Sequence, residues 1–164
     1  MKVIRALLAL AAIVPLSLSA QGATRADAPS PAALLDRIKA NLLNIDAPAE
    51  KERWGANVAL WDIKLAQKDK LSSADQKKMK ELLDKIRANV EHVMYAPEKE
   101  RWEANIALWE AAISQAPEAP SVNAGRMTAF LEVIKANVAK ISEATELERW
   151  QANRDLWAGA LGKR

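Results

Sequence analysis

The chain has 164 residues, half of them apolar, enough for one compact domain and too few for two large ones. It contains no cysteine and a single histidine, His92, which excludes a disulfide scaffold, a thiol nucleophile, thiolate metal sites, lipid attachment at cysteine and a His-cluster metal centre. The net charge of +3 points weakly to an acidic partner, until its location along the chain is considered.

Residues 1–20 read as a secretory signal peptide. Lys2 and Arg5 open the chain, an apolar stretch runs from Ala6 to Leu18 broken only by Pro15 and Ser17, and small residues follow at Ser19, Ala20, Gly22 and Ala23. The apolar run is shorter than the roughly 20 residues of a membrane-spanning helix, and Pro15 interrupts it. Cleavage is expected after Ala20 or Gly22, which makes the mature protein soluble and exported, to a bacterial periplasm or to the medium. Its removal takes two of the 24 basic residues and none of the 21 acidic ones, leaving a charge of +1. A nucleic-acid partner is therefore not expected. Residues 21–33, rich in Ala, Pro, Ser and Thr and without period, read as a disordered lead-in.

Residues 34–164 repeat three times at a spacing of 48. One block reads LLDRIKAN from Leu34, LLDKIRAN from Leu82 and FLEVIKAN from Phe130; the other reads ERWGANVALW from Glu52, ERWEANIALW from Glu100 and ERWQANRDLW from Glu148. Self-similarity at this period marks a helical-repeat architecture. The repeats cover about 34–78, 82–116 and 130–164. Each is expected to be a helical hairpin: Leu35, Ile38, Leu42 and Ile45, and their copies Leu83, Ile86, Val90 and Val93, follow the spacing of one helical face. The second helices are expected to open at Pro48 and Pro97 and, in the third copy, on a capping box from Thr145 to Glu148. Ser73 with Gln76 is expected to cap the helix that starts the second copy. The fold class is all-α, with three tandem hairpins and six helices stacked as a short α-solenoid-like array or closed as a bundle. In an array, Arg154 and Asp155, replacing apolar or small residues of the other copies, would make the last helix a polar terminal cap.

The second block carries the candidate site. On a helical wheel its shared residues fill an arc of roughly 200°, wide enough to touch two neighbours. Trp54, Trp61, Trp102, Trp109, Trp150 and Trp157 are read first as core, because they recur beside leucines at helical spacing, and second as an aromatic platform for sugar rings, lipid or peptide. Asn57, Asn105 and Asn153 fall in the middle of the arc, where a carboxamide must be hydrogen-bonded; a neighbouring helix is the expected partner, Asn41, Asn89 and Asn137 are candidates for it, and ligand binding is the alternative. Arg53, Arg101 and Arg149 are expected to pair with acids one turn earlier, such as Glu50, and to lie over the tryptophan face, or else to bind a carboxylate or phosphate. The lysines from Lys64 to Lys80 are broken by Asp69 and Asp75 and read as a solvated face.

His92 has no counterpart in the other copies and is expected to be partly packed. The notable acids occur in triplicate whereas a catalytic centre is ordinarily unique, and no phosphate loop, nucleophile elbow or zinc spacing is present. The reading favoured is a non-enzymatic binding or scaffolding protein with a protein or peptide partner, no cofactor and no metal. A small-ligand or glycan binder using the Trp/Asn face ranks second, and a secreted hydrolase with a carboxylate pair third.

Overall fold

A computed structural model describes residues 28–67, 71–114 and 120–162. The segment read as a signal peptide, most of the segment read as a lead-in and the centres of both inter-repeat junctions lie outside them. Among the described residues the fold is all-helical, with α1 at Pro31–Asn41, α2 at Pro48–Ala66, α3 at Ser73–Val90, α4 at Ala96–Ser114, α5 at Pro120–Val138 and α6 at Ala144–Gly162.

Local chemistry accounts for the helix starts, sometimes one or two residues from where the sequence placed them. Ser30 caps α1 by accepting from the Ala33 amide at 3.2 Å, and Pro31 fills the first helical position. Pro48 opens α2 in the same way. The cap of α3 is Ser72 rather than Ser73: its hydroxyl accepts from the Asp75 amide at 3.0 Å and donates to the Asp75 carboxylate at 2.7 Å, which leaves Gln76 outside the cap. In α6 the capping side chain is Glu143 instead of Thr145. Its carboxylate accepts from the Thr145 amide at 2.8 Å, the Thr145 hydroxyl at 2.6 Å and the Glu146 amide. A carboxylate facing free amides at a helix start outcompetes a hydroxyl two residues further on.

The six helices close into a bundle. The tightest packing runs between repeats, α2 on α3, α4 on α5 and α6 on α1, and each hairpin partner lies on the opposite flank. Helices α2, α4 and α6 thus form an inner triangle, and α1, α3 and α5 fill its three outer grooves. The burial pattern follows: α3 buries one stripe, Met79, Leu83, Ile86 and Val90, whereas α4 buries eight positions from Arg101 to Ile113. Ala56, Ala104 and Ala152 are buried and keep side-chain bulk low along the inner helices.

Closure removes the need for a terminal cap. Helix α6 packs on α1 as α2 does on α3, and Arg154 forms an ion pair with its neighbour Asp155 at 2.7 Å at a half-buried position. His92 lies exposed on the turn after α3, not partly packed, because the chain leaves the helix at Val90 before the stripe could cover it. No described helix is long and apolar enough to cross a membrane.

Candidate functional site

The twelve residues singled out in the repeated block are all buried, and they meet along the pseudo-threefold axis between α2, α4 and α6. They form layers, because Arg53, Trp54, Asn57 and Trp61 rise along one helix at steps that hold one broad face.

Two layers are tryptophan triangles. Trp54, Trp102 and Trp150 meet edge to face with ring centroids 4.9–5.0 Å apart. Two turns further along, Trp61, Trp109 and Trp157 do the same at 4.6–4.7 Å. Tilted rings place the positive edge of one indole against the negative face of the next, the favoured arrangement for aromatic pairs. Each indole is at most 1% exposed, so the face considered for sugar or peptide is occupied by the protein's own copies.

Between the triangles lies a ring of three asparagines. Asn105 donates to the Asn57 carbonyl oxygen at 3.0 Å, Asn153 to Asn105 at 3.1 Å, and Asn57 to Asn153 at 3.1 Å. Each oxygen accepts a second bond, at 2.9 Å, from an indole N–H of the second triangle: Trp109 to Asn57, Trp157 to Asn105 and Trp61 to Asn153. A side chain of a neighbouring helix is thus the partner, as expected, but it is the asparagine's own copy, 48 or 96 residues away, and not one of the first-helix candidates Asn41, Asn89 and Asn137. The carboxamide makes this possible because it carries donor and acceptor at once, so identical residues can bond head to tail around a closed ring.

The outer layer is charged. Arg53 pairs with Glu98 at 2.6 Å, Arg101 with Glu146 at 2.5 Å and Arg149 with Glu50 at 2.8 Å, each reaching the next inner helix in place of an acid on its own. Each guanidinium also lies over a tryptophan of that helix, Arg53 over Trp102, Arg101 over Trp150 and Arg149 over Trp54, 5.3–5.7 Å from the ring centre. Burial pulls Arg101 below the ordinary guanidinium range against the pull of Glu146, and burial raises the Glu146 carboxyl although Arg101 opposes it. Arg53 and Arg101 add bonds to the backbone carbonyls of Asn89 and Asn137 at 3.5 and 3.2 Å. Asn41, Asn89 and Asn137 donate instead to Glu148, Glu52 and Glu100 at 2.8–3.0 Å. The acids Glu50, Glu98 and Glu146 were not singled out as a set, although they recur at the same 48-residue spacing and so could have been.

Most bonding groups of the axis are taken up by residues of another copy, which limits what it can do chemically; the exceptions are Nε of Arg53, Arg101 and Arg149 and Nη1 of Arg149, which are buried without a hydrogen-bond partner. Among the described residues no group of three or more His, Asp or Glu side chains is arranged to hold a metal ion. No protein-family model, no curated protein and no solved structure matches the chain.

Proposed function

We propose that the chain is exported, loses residues 1–20, and works in the periplasm or medium as a non-enzymatic binding or scaffolding protein that touches a protein or peptide partner through its outer face. The observation that carries this reading is the closed axis. The residues repeated three times, whose chemistry could have served a ligand, bind one another, which leaves recognition to the outer, unrepeated positions. Met94 and Tyr95, on the turn between α3 and α4, are exposed at 94% and 56% and have Asp46, Ala47, Ser142 and Glu143 in their places in the other copies. Adjacent exposed apolar side chains at one turn are a natural contact point.

Two measurements test the reading. Expressed from its own start in a bacterium, the chain should be recovered from the envelope fraction with a mass that begins at Gln21 or Ala23. In-cell crosslinking should give a discrete adduct with the mature chain that is lost in Met94→Glu/Tyr95→Glu, with the melting temperature unchanged. Retention of residues 1–20 in the cytoplasm would reject the exported role, and an adduct indifferent to the double substitution would move the contact elsewhere.

A further inference from the structure

The shared axis allows the three copies to be compared position by position, and one seam differs. Ile63 and the buried Met79 occupy equivalent places at the junction of α2 with α3, and Ala111 and the buried Met127 at that of α4 with α5. At the closing junction of α6 with α1 the same places hold Gly159 and Pro31. Helix α1 also has 11 residues where α3 and α5 have 18 and 19. The missing volume appears as a cleft of about 450 Å³ lined by Pro29, Pro31, Leu34, Leu156 and Gly159. It adjoins a second cleft of about 200 Å³ that shares Pro31, Leu156 and Gly159 and reaches Trp61. A methyl group built on Gly159 would meet nothing within 4 Å.

We propose that this cleft binds a small molecule bearing an unbranched apolar chain, which takes the place held at the other two seams by methionine side chains. The equivalent seams show the occupant: a flexible, unbranched chain between an inner and an outer helix. A partner helix is the poorer fit, because from Pro31 onward α1 covers the seam in the register of α3 and α5, and the place left open at Pro31 is that of one side chain, Met79 or Met127 in the other copies. In the larger cleft the polar groups at the margin are engaged, Ser30 with the Ala33 amide and Asp155 with Arg154, so its walls offer apolar contact, and Lys64 at the edge of the adjoining cleft can lie beside a terminal polar group. The volume falls within the range of small-molecule sites. This site is separate from the Met94 turn and stands or falls independently of the protein contact proposed above.

The test is titration of the mature chain with 1-octanol, followed by NMR at the Gly159 and Leu34 amides and the Trp61 indole N–H. Saturable shifts confined to these groups are expected. Gly159→Ile, which fills the cleft, should weaken binding by about tenfold or more through lost burial of the alkyl chain, while the far-UV circular dichroism spectrum is kept. Gly159→Ala should weaken it partially and serves if the larger substitution does not fold. Cyclohexanol, with the same hydroxyl on a bulky ring, should bind more weakly. Shifts that do not saturate, that persist unchanged in both variants, or that cyclohexanol reproduces at equal affinity would overturn the proposal, as would a methionine-bearing helical peptide that occupies the cleft while octanol does not.

Discussion

Asn105 holds two buried donors at once, the Asn153 amide and the Trp157 indole, and donates to Asn57 itself. Asn105→Ala should therefore cost more than a single hydrogen bond, because each buried donor left without an acceptor costs about 1–3 kcal/mol; urea unfolding measures the loss. Replacing all three asparagines by leucine should not recover it, since the buried indole N–H groups of Trp61, Trp109 and Trp157 would all be left without acceptors. The tryptophans answer to a simpler measurement. Six indoles at most 1% exposed predict blue-shifted emission that resists acrylamide and does not respond to oligosaccharides. At the charged layer, Arg101→Met should destabilise by about 3 kcal/mol, the low end for breaking a buried pair, because Glu146 keeps some contact with water. The loss should grow as pH rises. The Glu146 carboxyl is already raised by burial, and without Arg101 its charged form is disfavoured further, so stability falls as pH climbs through its folded-state value.

At the scale of the element, helix starts and the closing seam decide most of what can be tested. The Glu143 carboxyl is held below its ordinary range by the Thr145 hydroxyl and by the amides of Thr145 and Glu146. Its stabilisation is present above the unfolded carboxylate pKa and lost as pH falls through the lowered folded value. Thermal melts of Glu143→Gln and the parent should accordingly differ at neutral pH and converge in acid. The seam between α6 and α1 is the weaker closure for reasons besides the cleft. Arg149 has a buried Nη1 without a hydrogen-bond partner, where its copies reach the last-turn carbonyls of α3 and α5. The end of α1 passes into a single 3-10 turn at Leu42–Asn44, which alters the carbonyl positions there. Hydrogen exchange should find α1 the first helix to lose protection, and α2 and α4 the last.

Across the whole molecule, the axis is a ring of identical bonds that happens to be strung on one chain. Each arginine donates forward to a glutamate of the next copy, each asparagine and second-triangle indole donates back to an asparagine of the preceding copy, and every set closes around the three copies. A peptide of one repeat, residues 71–118, should be unfolded when dilute and associate as a trimer when concentrated, as sedimentation would show, because alone it exposes the tryptophan face that the other copies bury. Six helices, the paired-helix repeat and the buried stripes were legible in the sequence, since periodicity and spacing are local and the blocks recur in register. The core reading of the tryptophans followed from the same logic: large residues beside Leu60 and its copies face the shared interior. The partners of Arg53 and Asn57 were not legible. Several acids and amides lie within reach on paper, and the choice among them depends on how far each repeat turns relative to the last. That rotation is set by packing between helices distant in sequence. It brings α6 onto α1, makes the last helix an inner strut where an array would need a polar cap, and sets the three copies of the repeated motif against one another at the centre of the protein.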